Sequence, residues 1–179
     1  MPSCVMSAED FCDPRNTAEL TAMANQVIIE ESPVSYATIS RRLLEACGIT
    51  KNTAKIKDRV DYLIRATRRK PAPDGSVLFF WKPGSDPMAY DMYRYPAGED
   101  VRDPEDIHSS EAACAMLEAI AEQYGMPEDS AFAAGARKLG LARMTPSVRE
   151  LMDKGMTILK DENAVTKDDH GMLQANNMV

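Results

Sequence analysis

The length, composition and charge of the chain exclude several classes of protein. Its 179 residues are 44% hydrophobic and 27% charged, as in folded proteins with one medium or two small domains. Only 6% are aromatic, which argues against a large aromatic-rich ligand pocket. No apolar stretch approaches the roughly 18 residues of a membrane span, and the N-terminal segment lacks the pattern of a secretory signal. We therefore expect a cytoplasmic protein without membrane contact.

The cysteine and histidine content predicts neither a metal site nor a cofactor. Four cysteines lie at unrelated spacings, and none forms a C-x-x-C pair: Cys4, Cys12, Cys47 and Cys114. A structural zinc site needs about four ligands at compact spacings, and only His108 and His170 could add imidazoles. Reduced thiols in a cytosolic protein are the natural interpretation.

The net charge of −7 is distributed unevenly along the chain. The segment from Arg41 to Lys82 contains eleven Lys and Arg against four acids, a local charge of +7, so the remainder carries −14. A polyanion responds to the charge within a Debye length of about 10 Å and not to the total. The acidic total therefore does not exclude nucleic acid as a partner.

Periodicity predicts three helices and a hairpin in the first half of the chain. The first helix runs from about Asn16 to Glu31, with Asn16 and Glu19 in a capping box. The second begins at Ser35 and stops at Gly48, a natural left-handed cap. The polar link 50–52 opens a third helix, whose inner positions are Ile56, Val60, Leu63 and Ile64.

After a basic run come a turn and a strand. Pro73-Asp74-Gly75 predicts the turn, and Val77 to Trp81 predicts the strand. Three short helices followed by a hairpin are typical of a winged helix-turn-helix, in which the third helix enters a groove of DNA and the hairpin touches the backbone beside it. The predicted fold class is mainly α with small β wings, in tandem winged helix-turn-helix units.

The same order returns in the second half. Asp103 to Asp106 predicts an acidic helix start, and the apolar face that follows comprises Ala112, Ala113, Met116, Leu117, Ile120 and Tyr124. Pro127 opens a second helix that ends at Gly140, and Thr145-Pro146 opens a third. A shift of 92 residues superposes Gly48 on Gly140 and Thr53 on Thr145, which predicts a repeat.

These patterns define the predicted domains. The first winged-helix unit covers 17–84 and the second covers 103–173, with an ordered connector at 85–102 held by Tyr90, Tyr93 and Tyr95. Residues 1–16 and the tail 174–179 lack periodicity, so we expect them to be frayed.

The sequence also resembles a known family of domains of unknown function. The resemblance lies in ESPVSYATISRRLLEACGITKNTAKIKDRVDYLI (Glu31 to Ile64) and LFFWKPG (Leu78 to Gly84), and more weakly in Asp103 to Gly125 and Leu139 to Met152. Such domains usually lie at the C-terminal end of large bacterial helicase-related proteins, beside a superfamily 1 helicase core and a restriction-endonuclease-like domain. The resemblance implies an accessory region of nucleic-acid-processing proteins, without catalytic residues to carry over. The chain departs from that setting, since it contains neither a P-loop motif nor a nuclease carboxylate cluster.

The candidate binding residues follow from the third helix of the first unit. Positions opposite its apolar face, and the basic run after it, are cationic or polar and suit contacts to base edges and phosphates. These residues are Lys51, Asn52, Lys55, Arg59, Tyr62, Arg65, Arg68, Arg69 and Lys70. Asn52 could read an adenine, but its position before the helix favours the role of an N-cap, and the whole set could be an ordinary solvated face.

The third helix of the second unit gives weaker evidence of nucleic-acid binding than that of the first. Its exposed positions Arg149, Glu150, Asp153 and Lys154 show no basic bias, and Gly155 weakens the helix near its end. We expect a structural or partner-binding role for this unit.

No catalytic motif occurs in the chain. It lacks G-x-S-x-G, H-E-x-x-H and G-x-G-x-x-G, so an enzyme is not predicted. The sequence favours a non-catalytic nucleic-acid-binding module, with duplex DNA as the preferred partner. The alternative is a protein-interaction module that docks onto a helicase or nuclease.

Overall fold

The computed structural model describes residues 4–96 and 102–176. The chain divides into two compact units, Met1–Ser85 (unit 1) and Asp86–Val179 (unit 2), each with its own hydrophobic core. Both are mainly helical with a small antiparallel sheet, which confirms the predicted class of mainly α with small β elements. Among the described residues, no helix combines the length and apolar character needed to cross a bilayer.

The described residues of unit 1 form four α-helices, a short 3-10 helix (Pro14–Asn16) and three strands. The helices are α1 (Ala8–Cys12), α2 (Thr17–Glu30), α3 (Tyr36–Ala46) and α4 (Ala54–Ala66), and the strands are β1 (Val34–Ser35), β2 (Ala72–Asp74) and β3 (Val77–Phe80). The sheet is antiparallel with the order β1-β3-β2. The predicted strand is therefore confirmed, ending one residue before Trp81, and Gly75 with a φ of 62° forms the turn before it.

The N-terminal segment is ordered, so the prediction that it frays is wrong for the described residues 4–16. Phe11 of α1 is fully buried in the core of unit 1. The backbone N–H groups of Cys4 and Met6 donate to the carbonyl oxygens of Ala46 (2.9 Å) and Cys47 (3.1 Å). A five-residue helix with one buried aromatic carries too little periodicity to be recognised in the sequence.

Two of the predicted helix caps are wrong. The Asn16 side chain makes no capping bond to α2, and its amide instead donates to the carbonyl of Asp10 at 2.9 Å. Thr53 rather than Asn52 caps α4, because its hydroxyl accepts from the N–H of Ile56. Both threonine and asparagine are good N-caps, so adjacent candidates are hard to separate in a sequence.

In its described part, unit 2 forms three α-helices, two 3-10 helices (Pro87–Ala89 and Pro104–Asp106) and two strands. The helices are α5 (Ser109–Glu122), α6 (Glu128–Lys138) and α7 (Pro146–Asp161), and the antiparallel strands are β4 (Val165–Lys167) and β5 (Leu173–Ala175). Thr145 caps α7 as predicted, and Val148, Met152 and Met156 are buried. Met126, just before α6, forms an isolated bridge to Leu173.

Three expectations for unit 2 are corrected. Helix α5 begins at Ser109 rather than at Asp103, because Pro104–Asp106 forms a separate 3-10 helix and the His108 imidazole caps α5 by accepting from Ser110 N–H at 3.1 Å. Tyr124 lies beyond the helix with a φ of 55° and is 91% exposed. In the described part of the tail, residues 174 and 175 belong to β5 rather than to a frayed end.

The segment predicted as a connector, 85–102, is only partly described, since 97–101 lie outside the described residues. Its part from Asp86 onward belongs to unit 2. Tyr93 packs against the core of unit 2, whereas Tyr95 is 66% exposed. The tyrosines therefore do not all serve as packing anchors.

Helices of the two units correspond in position along the sequence. Helices α2 and α5, and likewise α3 and α6, begin and end 92 residues apart, and α4 and α7 begin 92 residues apart. Gly48 follows α3 and Gly140 follows α6, with φ values of 69° and 80°, the left-handed conformation that favours glycine. Thr53 and Thr145 cap α4 and α7 in the same way.

Candidate nucleic-acid interface

Helix α4 is held in unit 1 by one apolar face. Ile56, Val60, Leu63 and Ile64 are all at most 3% exposed, and they pack against the core formed with α2 and α3. Because these positions repeat every three to four residues, most of the remaining positions of α4 are exposed, including Lys55, Tyr62 and Arg65. The predicted interface lies on this solvent side.

Seven of the nine predicted binding residues are exposed. Their side chains surround the start of α4, its solvent face and the chain that leads into β2: Lys51, Asn52, Lys55, Tyr62, Arg65, Arg68 and Lys70. Tyr62 is 56% exposed, which is a large fraction for an aromatic side chain. Within the described part of the chain, the side chains of Lys51, Lys55, Arg68 and Lys70 form no ion pair or hydrogen bond.

The other two predicted residues hold unit 1 together. The guanidinium of Arg59 donates to the carbonyl oxygens of Phe11 (3.0 Å) and Asp13 (2.9 Å) and to the hydroxyl of Thr17 (3.0 Å). Arg69 donates from Nε to the side-chain oxygen of Asn25 at 3.0 Å. Nε and Nη2 of Arg59 and Nε of Arg69 are thus used inside the unit, which gives both side chains a structural role.

Arg59 also orients the exposed aromatic ring of the interface. Its Cζ atom lies 5.5 Å from the centroid of the Tyr62 ring, within the range of a cation–π contact. The N-terminal segment, Arg59 and Tyr62 therefore form one connected structure. Sequence reasoning missed this link because its acceptors are backbone carbonyls more than forty residues away.

One acid on this face is engaged by a neighbour. The Tyr36 hydroxyl donates to the carboxylate of Asp61. Burial is the largest cause that raises the pKa of Tyr36, the bond to Asp61 raises it further, and the cation of Arg65 lowers it. Tyr36 therefore remains a protonated donor at neutral pH, and Arg65 lies near the pair it forms with Asp61.

The corresponding surface of unit 2 is electrostatically different. Arg149 pairs with Asp129 at 3.0 Å and lies 4.8 Å over the ring of Phe132, and Lys154 pairs with Glu150 at 2.9 Å. Lys138 contacts two glutamates and Lys160 one. The two cations of the mixed surface predicted here, Arg149 and Lys154, are thus each paired with a neighbouring acid.

Unit 2 has a groove that the sequence did not predict. A cavity of about 690 Å³ lies between α5, α7 and the segment 87–95. The residues that line this groove come from separated segments of the chain, so no local sequence pattern predicts it. No group of three or more His, Cys, Asp and Glu side chains suitable for a metal ion occurs among the described residues.

One family model matches part of the chain. The family is described as "Protein of unknown function (DUF3320)", and the match covers residues 9–58, from α1 into α4. It supports a domain-of-unknown-function family for this part, over a shorter range than the resemblance predicts. No curated protein matches the chain, and no solved structure matches it.

Proposed function

We propose that the protein is a non-catalytic nucleic-acid-binding module whose contacts come from unit 1, with duplex DNA as the preferred partner. The observation that carries this proposal is a set of exposed cations around α4 whose side chains form no ion pair or hydrogen bond with the described residues: Lys51, Lys55, Arg68 and Lys70. Each phosphate that such a cation neutralises releases condensed counterions, which drives binding.

The proposal includes a finer description of the fold as two winged-helix units. In unit 1, helices α2, α3 and α4 precede the β2–β3 hairpin, which follows α4 directly, and β1, between α2 and α3, completes the antiparallel sheet of order β1-β3-β2. The 92-residue correspondence of the helices, and the bridge of Met126 to Leu173, support a second copy in unit 2. This arrangement would present α4 to the major groove and the hairpin to the backbone.

Roles within the interface follow from position. Lys51, Asn52 and Lys55 lie at or before the start of α4, the end of a recognition helix that contacts base edges. Because Thr53 supplies the cap, the amide of Asn52 is available to an adenine edge. Arg68 and Lys70 precede the hairpin and suit phosphate contacts, whereas Arg59 and Arg69 position the surface.

Fluorescence anisotropy on the intact chain tests the proposal. Duplex DNA, single-stranded DNA and RNA of equal length are titrated at two salt concentrations. Duplex DNA should bind most tightly, with a steep loss of affinity at the higher salt concentration. Absence of binding to all three probes at low salt would contradict the proposal. Co-purification with a helicase or nuclease free of nucleic acid would then favour the docking alternative.

A further inference from the structure

The groove of unit 2 has an apolar floor built on two helices. Ala113, Leu117 and Ala121 of α5 lie four residues apart on one face, and Ile158 and Leu159 of α7 form the opposite wall. The stretch from residue 113 to residue 121 extends about 12 Å at 1.5 Å per residue, or two helical turns. The volume of about 690 Å³ is within the usual range of ligand sites, about 300–1,000 Å³.

The third wall of the groove is fixed in place. Glu111 of α5 is fully buried. Its carboxylate forms ion pairs with Arg94 at 2.9 Å and Arg102 at 2.8 Å, and it also accepts a hydrogen bond from the backbone N–H of Arg94 at 3.0 Å. Further along, the Cys114 thiol donates to the carbonyl of Tyr90 at 3.4 Å. These contacts anchor the segment 87–95 to α5, so the groove is formed before any ligand arrives.

The charged side chains that line the groove are acidic. Its ionisable lining residues other than tyrosine and cysteine are Asp91, Glu118 and Glu162, and no Lys or Arg lines it among the described residues. Glu118 is paired with Lys138, whereas Asp91 and Glu162 are exposed at the rim. Burial raises the pKa of Cys114 to about 11, and the negative charges of Asp91, Glu111 and Glu162 contribute further to this rise.

We propose that this groove docks a basic amphipathic helix of a partner protein, with apolar side chains on the α5–α7 floor and Lys or Arg side chains facing Asp91 and Glu162. Helix-in-groove docking uses an apolar stripe with i, i+3, i+4 and i+7 anchors, which fits two helical turns of floor. The acidic rim selects a cationic partner and repels nucleic acid. The two units would then have distinct partners, nucleic acid for unit 1 and protein for unit 2.

Three synthetic peptides test the docking on the full-length chain. The first is a helix-forming peptide of Leu and Lys in an amphipathic pattern. The second replaces every Lys with Glu, and the third keeps the Lys residues but replaces Leu with Gly and Ser. Only the first should bind, because it alone combines the apolar stripe with positive charge. Equal binding of the Leu/Glu peptide, or of the Gly/Ser peptide, would overturn the proposal.

Charge reversal at the rim locates the site. The double variant Asp91→Lys/Glu162→Lys should weaken the Leu/Lys peptide about tenfold, the equivalent of about 1.4 kcal/mol. The matched control Glu105→Lys/Asp169→Lys makes the same change in net charge at exposed positions outside the groove. Its affinity for the Leu/Lys peptide should stay within about twofold of the wild-type affinity. An equal loss in both variants would mean non-specific attraction and would overturn the proposal.

A structural readout completes the test. On addition of the Leu/Lys peptide, the methyl resonances of Leu117 and Ile158 should shift, while that of Val60 in unit 1 should not. Shifts confined to other parts of the chain would contradict docking in the groove. Concentration-dependent self-association that Asp91→Lys/Glu162→Lys abolishes would identify a second copy as the occupant, and would overturn the proposed partner helix.

Discussion

At the residue scale, the contacts of Arg59 show that it is a structural cation, unlike the exposed cations that are available for binding. Its guanidinium donates to three oxygens of the N-terminal segment and the start of α2, whereas Lys57, two residues earlier on the same helix, is exposed. Hydrogen bonds from a charged donor contribute about 1.5–3 kcal/mol, whereas a solvated lysine contributes little. Two cations of one helix therefore have different roles.

Replacing Arg59 should loosen the N-terminal segment. We expect Arg59→Ala to lower the free energy of unfolding of unit 1 by about 2–3 kcal/mol, because the carbonyls of Phe11 and Asp13 lose their donor. Hydrogen exchange at α1 should accelerate. Chemical denaturation and exchange measure both effects, and Lys57→Ala is the control, with a change below about 0.5 kcal/mol. If Arg59→Ala lowered the free energy of unfolding no more than Lys57→Ala does, the structural role of Arg59 would be contradicted.

Glu111 is the second residue with a defined structural role. Burial acts to raise its pKa, but hydrogen bonds from Arg102 and Arg94 outweigh it, and the pKa lies below the ordinary value of 4.5. A carboxyl with a lowered folded pKa contributes stability above its unfolded pKa, and that stability is lost as pH falls through the folded value.

Glu111→Gln should therefore remove a pH-dependent part of the stability of unit 2. At neutral pH the variant should lose about 3 kcal/mol, because two partly buried arginines lose their counter-charge. Below pH 4.5 the gap between wild type and variant should narrow. Thermal melts at neutral and acidic pH measure this gap, and a gap that widens on acidification would contradict the assigned direction.

At the element scale, the close approach of α5 and α7 depends on a glycine. A Cβ atom added at Gly155 would lie 2.8 Å from the backbone nitrogen of Ala113 and 3.0 Å from the Cβ of Ala112. The sequence predicted only a weakened helix at this position. The structure shows that the absent side chain allows two helices to pack, a relation between distant segments that a local pattern does not contain.

Gly155→Ala should destabilise unit 2 although alanine is the better helix former. The gain in propensity is about 1 kcal/mol, and overpacking against a backbone atom costs up to about 3 kcal/mol, so a net loss of about 1–2 kcal/mol is expected. Urea denaturation measures it. Thr157→Ala on the exposed side of α7 is the control, with a change within about 0.5 kcal/mol. A more stable Gly155→Ala variant would contradict the packing account.

Elements with strong periodicity were predictable, and features that depend on tertiary contacts were not. The apolar faces of α2, α4 and α7, the turn at Gly75 and the strand after it follow from spacing alone. Helix α1 and the cap at His108 did not, because each relies on one side chain in a particular setting. For the candidate site, the period of the helix predicts which side chains are exposed. The hydrogen bonds of Arg59 and Arg69 join segments that are far apart in the sequence, so the helical period does not predict them.

At the scale of the whole molecule, each unit has a separate core. The buried clusters of unit 1 and unit 2 share no residue, and their boundary falls between Ser85 and Asp86. Domains with their own core can fold alone. The local charge of +7 between Arg41 and Lys82 lies entirely within unit 1.

We expect residues 1–85 and 86–179 to fold as separate polypeptides. Circular dichroism should give a cooperative melt for each, because the described residues of each unit form a buried cluster of their own. Isolated unit 1 should retain duplex binding, and isolated unit 2 should not bind duplex. An unfolded unit 1, or duplex binding by unit 2 alone, would contradict this division of roles.

The salt dependence of duplex binding tests the central claim most directly. For the intact chain, log Kobs is plotted against log salt concentration for wild type, for Arg68→Ala/Lys70→Ala, and for the control Arg149→Ala/Lys154→Ala. If Arg68 and Lys70 contact phosphates, the first double variant should bind more weakly, with a slope flatter by about two units. The control should keep the wild-type slope, because its cations are paired within unit 2. Equal changes in both double variants would contradict the account.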